Sequence, residues 1–279
     1  MTGMHDWRGR VGETWAAEYR RTERAFSGIA QVLDRTVAHH APATGRAVDI
    51  GCGAGSTAIA LARARPDMTV TGIDLSAPLL AVARSRAAGL PGLRFAVGDV
   101  RDMLPTLAPL DLLVSRHGVM FFDDPVAGFA DMARAARTGA PLVFSCFRAR
   151  AENDWSSAVD RVLGQAPAAD AYAPGPYGLA DRERTHRILH DAGWRGIVAT
   201  AHDVRYVVGE GDDAVEDALA FYRRIGPAAA MLAAAHGDER RRIEDALRDM
   251  LAARICDGAV AFTAAIWIWT ATAGGERTA

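Results

Sequence analysis

The sequence predicts an α/β protein built on a doubly wound sheet, and three observations carry that expectation. Residues 47–62 read as a buried strand, a glycine turn and a helix: Val48 and Ile50 suit a central parallel strand, and Ala58, Ile59, Leu61 and Ala62 resume at helical spacing. Through residue 148, short apolar runs alternate with helical segments, the rhythm of βαβ units. Several of these runs end on an acid or a polar residue, and in open α/β sheets ligands collect at the carboxyl edge of the strands.

The whole chain sets outer bounds. Its 279 residues suit one α/β domain with insertions, and half of them are apolar, enough for a sizeable core. The net charge of −2 argues against a nucleic-acid backbone as the main partner. No apolar run is long enough to span a membrane, and residues 1–10 are too polar for a signal peptide. Cys52, Cys146 and Cys256 have neither metal-ligand spacing nor a disulfide pattern, so no metal is expected and a reducing cytoplasm is. All 32 Lys-plus-Arg positions are arginine, which weakens any argument from arginine's carboxylate fork.

Taken in order, residues 1–40 form an N-terminal helical segment. Trp7, Trp15, Tyr19, Phe26, Ile29 and Leu33 recur every three or four residues; they pack an amphipathic helix pair on the sheet, or Trp15 or Tyr19 folds over a ligand. His39 and His40 have no further ligands nearby and read as solvent-exposed. In the loop after the first strand, Gly51, Gly53 and Gly55 let the backbone turn tightly and approach a ligand. A dinucleotide fold wants Gly-x-Gly-x-x-Gly, but Ser56 stands where the third glycine would fall. Asp49, two residues before the first glycine, would repel a pyrophosphate and attract an ammonium or sulfonium. The loop therefore favours a ligand with a cationic amino-acid end, such as S-adenosyl-L-methionine.

The second strand, 68–73, closes on Asp74, 19 residues after Gly55, a spacing that suits a ribose-binding carboxylate or a helix cap. Ser76-Ala77-Pro78 opens the next helix. Residues 93–97 form the third strand, and Asp99 after it either binds ligand or caps the following helix. Residues 110–115 form a buried fourth strand. His117 leaves its carboxyl edge as either a general base or a lid residue. A helix starts at Pro125 and stops at Thr138-Gly139, and 141–147 form the fifth strand. Residues 149–180 leave the sheet rhythm as an insertion in which Trp155 and Tyr177 are pocket walls or packing anchors. A helix from Asp181 to Asp191 leads to a sixth strand over 196–206. Two helices in the 208–257 insertion complete a helical cap, and 260–272 form the last strand before a frayed tail over 274–279.

Together, Asp49-x-Gly51-x-Gly53-x-Gly55, Gly72-Ile73-Asp74-Leu75-Ser76, Val97-Gly98-Asp99-Val100 and 111–116 followed by Met120-Phe121-Phe122 resemble the successive motifs of class I S-adenosylmethionine-dependent methyltransferases. The resemblance is strong over 45–148 and looser elsewhere, through a ubiquinone/menaquinone-type subgroup. It implies a seven-stranded sheet of order 3-2-1-4-5-7-6 with the last strand antiparallel. It also implies a cofactor site at Asp49, Gly51, Cys52, Gly53, Gly55, Asp74, Leu75, Asp99, Val100, Ser115 and Trp15. The subgroup usually carries an aromatic at the position of His117, the one candidate catalytic residue. The domains expected are the N-terminal segment (1–40), the core (41–148 and 181–207), the two cap insertions (149–180 and 208–257) and the last strand with its tail (258–279).

The expected activity is methyl transfer to an O, N or C nucleophile of a small molecule or natural product, a peptide carboxylate included, by a cytoplasmic monomer or homodimer. The alternatives are a nicotinamide-dependent oxidoreductase, against which Asp49 and Ser56 count, and a non-catalytic SAM-binding module, against which the intact acids and glycines count. The loop after the fourth strand lacks the Asn/Asp-Pro-Pro-aromatic signature of base methylation.

Overall fold

The computed structural model describes residues 4–164 and 172–275. Residues 165–171 of the first insertion and 276–279 of the expected tail lie outside the described residues.

Parallel strands β1 (Gly45–Ile50), β2 (Met68–Asp74), β3 (Leu93–Val97), β4 (Leu112–Arg116) and β5 (Pro141–Phe147) alternate with helices α4 (Ser56–Ala64), α5 (Ala77–Arg86), α6 (Val100–Leu107) and α7 (Pro125–Ala135). The helix boundaries follow capping chemistry. Ser76, Asp99 and Asp124 each accept a backbone N–H of the turn they open, and Pro78 and Pro125 sit in first turns where no N–H is missed. Further on come β6 (Trp194–Gly209), β7 (Ile255–Cys256) and β8 (Ala259–Ala273). The sheet order is β3-β2-β1-β4-β5-β8-β6, with β8 antiparallel to both neighbours and β7 a two-residue stub on β8. Discounting the stub, this is the order the motifs implied. Val48, Leu112, Leu113, Val114, Leu142 and Val143 are fully buried, because helices cover both faces of the central strands.

Three features depart from the sequence reading. The N-terminal segment is a 3₁₀ turn (Met4–Arg8) followed by three helices, α1 (Arg10–Ala17), α2 (Tyr19–Ala25) and α3 (Ser27–His40), rather than a helix pair. Ile29, Leu33 and Val37 form the buried stripe with which α3 meets the sheet, and the chain bends at Glu18 and Phe26 so that α1 and α2 cross the sheet's edge instead of continuing that line. Strand β6 outruns 196–206 at both ends, since Trp194 and Gly209 still find partners in Ala273 and Val260 across two bulges. The second insertion holds three helices, α10 (Ala214–Arg224), α11 (Ala229–Ala234) and α12 (Gly237–Ala252), because Gly226-Pro227 breaks the first run. Helix α8 (Asp154–Leu163), from the first insertion, packs on α12 and β8, and α9 (Arg182–Asp191) packs on α7 and β6. No helix among the described residues is long and apolar enough to cross a membrane.

Candidate cofactor and acceptor cavity

The strand register brings Asp49, Asp74, Arg116, Ser145 and Phe147 to one edge of the sheet: Ile50 pairs with Ile73, Asp74 with Val97, and Arg116 with Ser145. Above that edge lies a cavity of about 370 Å³, roofed by α1, α2 and the two insertions. Its lining runs from the glycine loop at one end to a cluster of aromatic rings at the other.

At the loop end, Gly51, Gly53 and Gly55 have φ of 64°, 53° and 83°, the left-handed region that side chains resist. Asp49 is fully buried; its Oδ2 accepts the N–H of Ala58 at 3.0 Å, while Oδ1 has no partner among the described residues. Burial raises its pKa to about 7, against the pull of the Arg116 guanidinium. Asp74 accepts Gly53 N–H and Ser76 N–H, both at 2.8 Å, and so closes the glycine turn onto β2. Burial raises its pKa, and those two N–H groups oppose the shift. Asp99 lines the cavity and also caps α6 through Arg101 N–H, so the ligand and cap readings are compatible.

Two anticipated residues lie behind the wall. Gly55 is absent from the lining, and a Cβ there would meet Ala83 and Phe95 at 2.9 Å, so this glycine serves the packing of α4 against α5 and β3. Ser115 is also absent, and its hydroxyl is consumed: it donates to Ile50 C=O at 2.7 Å and accepts Gly118 and Val119 N–H at 3.2 Å. Its place is behind the loops as a brace between β1 and the turn after β4. Ser115→Ala should therefore cost about 2–3 kcal/mol in urea unfolding, since it leaves three backbone groups short of a partner, those of Ile50 and Val119 buried. The other anticipated residues, Cys52, Leu75, Val100, Trp15 and His117 among them, line the cavity.

Sequence reasoning missed a polar clamp. Glu23 on α2 hydrogen-bonds Ser56 at the start of α4, meets Arg116 at 2.6 Å and approaches Arg86 at 3.4 Å. Burial would raise the Glu23 pKa, but Arg116, Ser56 and Arg86 outweigh it and hold the carboxyl below its ordinary value. This clamp fixes the N-terminal helices over the loop. Arg116 keeps its buried Nη1 without a partner among the described residues, on the same cavity as Asp49 Oδ1. A charged nitrogen and a carboxylate oxygen, both buried and both unpaired, are costly unless a ligand completes them.

His117 has φ of 60°, and this left-handed turn aims its ring back over the sheet edge. The ring is buried, with Nδ1 2.8 Å from Ser145 Oγ and Nε2 without a partner among the described residues. Burial and Arg116 lower its pKa to about 3, so the imidazole is neutral at physiological pH. Trp155 and Tyr177 also reach the cavity, so both are walls, while Trp155 anchors the insertion through Nε1–H to Asn153 Oδ1. Tyr19 does not reach it and lies instead beneath the Arg20 and Arg86 guanidiniums.

Fold and site together define a nucleotide-cofactor enzyme class whose strand–glycine-turn–helix carries a buried carboxyl, Asp49, just before the turn. Residues 47–139 match the methyltransferase domain family. The chain is 32% identical to trans-aconitate 2-methyltransferase of Variovorax paradoxus (strain S110) over 185 residues, 66% of this chain and 67% of that one. It is 37% identical to the enzyme of the same name from Acidovorax sp. (strain JS42), over 50% of this chain and 49% of that one. The chain thus spans about half the length of several relatives it matches. Among solved structures, phosphoethanolamine N-methyltransferase 2 of Haemonchus contortus, in complex with S-adenosyl-L-methionine, superposes with a TM-score of 0.57 at 16% identity, covering 99% of this chain and 61% of that one. The [4+2]-cyclase SpnF superposes at 0.52 with 19% identity, covering 88% and 81%. The chain belongs to the class I S-adenosylmethionine-dependent methyltransferases. The presence of a cyclase on the same fold makes the reaction a question for the site.

Proposed function

We propose that the protein transfers the methyl group of S-adenosyl-L-methionine to a small-molecule acceptor in the aromatic end of the cavity. The observation that carries this reading is the pair of orphaned buried groups, Asp49 Oδ1 and Arg116 Nη1, beside a glycine turn. They are complementary to the ammonium and carboxylate of one amino-acid end. The charge balance agrees: Glu23, Asp49, Asp74 and Asp99 line the cavity against Arg116 and Arg150, and a cationic ligand offsets the excess. In this reading Asp74 accepts ribose hydroxyls, and Asp99 and Val100 flank an adenine. The bound cofactor would supply an activated methyl on a sulfonium. The chain's own task is to align the acceptor with that methyl, which is worth several kcal/mol, roughly seven or more when alignment is good. It must also exclude water, which the helical roof and the aromatic lining serve.

The narrower ubiquinone/menaquinone-type reading rests on motif resemblance alone, and His117 departs from it. Relatives that act on trans-aconitate make a carboxylate acceptor one possibility for the class. A soluble monomer or homodimer in the cytoplasm, acting without nucleic acid, fits the net charge of −2.

Calorimetric titration with S-adenosylhomocysteine, with NAD as comparison, tests the cofactor. Micromolar binding of the former and none of the latter is expected, and Asp74→Ala should weaken it at least tenfold. Binding of NAD alone would overturn the reading, and unchanged affinity in Asp74→Ala would remove the ribose role.

A further inference from the structure

The aromatic end of the cavity has a chemistry of its own. Three of the chain's six tryptophans, Trp7, Trp15 and Trp155, line it. Around His117 the rings are close: Phe147 at 4.3 Å and Phe26 at 5.5 Å, both edge-on, with Trp155 stacked on Tyr206 at 5.1 Å. Such walls offer flat apolar faces and ring edges to a planar guest. They offer little to a polyanion. Arg150 is held by Asp160 through two 2.6 Å hydrogen bonds and lies over the Tyr177 ring. Arg116 is engaged by Glu23, and its guanidinium lies over the Phe26 ring.

The polar groups left over at this end are neutral: His117 Nε2, buried and without a partner among the described residues, and the buried hydroxyls of Tyr177 and Ser156, which lie beside each other. The tautomer of His117 follows from Ser145. The Ser145 side chain is buried, and its hydroxyl meets one side-chain partner, His117 Nδ1. If Nδ1–H donated, the serine O–H would be left buried without an acceptor. If the serine donates, both groups are satisfied and the imidazole proton sits on Nε2. His117 therefore presents an N–H donor to the cavity, not a base.

Building on the methyltransferase reading, we propose that the acceptor is a neutral, planar hydroxyaromatic molecule, seated against Phe147, Trp155 and Tyr206 with its oxygen hydrogen-bonded to His117 Nε2–H. The acceptor gives up its phenolic proton to bulk solvent as it enters the cavity, and the donor at Nε2 stabilises the phenolate oxygen so formed. That oxygen attacks the methyl carbon, the O–CH₃ bond forms as the S–CH₃ bond breaks, and S-adenosylhomocysteine leaves with the sulfur's electron pair, so His117 acts on the nucleophile without taking its proton.

The test uses full-length protein saturated with S-adenosylhomocysteine and three probes, 2-naphthol, naphthalene and trans-aconitate, followed by tryptophan fluorescence. 2-Naphthol should bind at least tenfold more tightly than naphthalene, and trans-aconitate should not displace it. His117→Asn suits the left-handed backbone but is too short to place a donor where Nε2 lies. It should bind 2-naphthol about tenfold more weakly, with naphthalene and S-adenosylhomocysteine unchanged. His117→Gln, whose amide nitrogen can reach that position, should recover most of the loss. Equal 2-naphthol binding by wild type and His117→Asn, or displacement of 2-naphthol by trans-aconitate, overturns the proposal. Failure of 2-naphthol to bind a protein that holds S-adenosylhomocysteine overturns the acceptor proposal alone, whereas failure to bind S-adenosylhomocysteine overturns the cofactor reading as well.

Discussion

Asp49→Asn should lose S-adenosylhomocysteine binding and, in the same protein, lose the component of the pH dependence of unfolding between pH 4 and 8 that comes from Asp49. Both effects come from one buried carboxyl. Its pKa rises from the ordinary 3.8 to about 7 in the folded chain, chiefly through burial. A raised pKa means that the native state holds the proton more tightly than the unfolded state. That contribution to stability is complete below pH 3.8, is lost as pH rises and is gone above about 7. Three units at 1.36 kcal/mol each make roughly 4 kcal/mol. The asparagine variant has no such titration. Asp34, raised to about 6 by burial, Asp74, also raised, and His117, lowered to about 3, are common to both proteins and cancel in the difference. Urea unfolding of the two proteins at pH 4 and pH 8 measures the slope, and parallel curves would show that Asp49 ionises normally. A cationic ammonium needs the carboxylate, so wild-type affinity for S-adenosylhomocysteine should climb about tenfold per pH unit up to pH 7. In Asp49→Asn, binding should be weak and flat with pH. The site is thus bought at the expense of apo stability, which is common where a binding group must be held away from water.

The core of this fold was legible because its signals are local. The glycine turn after Ile50, the capping serine and aspartates at 76, 99 and 124, and the apolar run at 112–114 each announce their element within a few residues. The place of Asp49 and Asp74 on the cavity wall was legible for the same reason, both being tied to that turn by sequence spacing. Glu23 and Phe26 were not, because their roles depend on α2 and α3 crossing the sheet edge to meet Arg116 and His117, about ninety residues away in the chain. The alternation of strands says nothing about that crossing. Ser115 shows the opposite failure. Its position at the end of β4 matched a cofactor motif, yet its side chain points to the back of the loops and braces Ile50. A strand position names an edge of the sheet, and the side-chain direction that separates wall from brace comes only with the packing. The two cap insertions could not be placed, since Trp155, Tyr177 and Tyr206 meet only when α8 packs on β8 and β8 joins β6 to β5.

Gly53→Ala should separate binding from folding, and its contrast with Gly51→Ala tests what the loop is for. Both residues have positive φ, so alanine costs about 1 kcal/mol of backbone strain at either site. Their surroundings differ. A Cβ at Gly51 would stand 2.8 Å from the Gly118 Cα, a backbone contact that only a shift of the turn after β4 can relieve. Gly51→Ala should therefore lose about 3 kcal/mol in urea unfolding, with binding lost as a consequence. A Cβ at Gly53 would meet nothing within 4 Å, and Gly53 lines the cavity. The fold has left that space open, and the methyl would occupy what a ligand lying across the loop needs. Gly53→Ala should unfold within about 1 kcal/mol of wild type while S-adenosylhomocysteine affinity falls tenfold or more, a loss of about 1.4 kcal/mol. Calorimetry and urea unfolding on the two variants give four numbers. A Gly53→Ala protein that binds like wild type would move the cofactor off the loop. Binding that fell only in proportion to stability would make the loop's glycines a folding requirement, and the open space above Gly53 would then have no ligand to account for it.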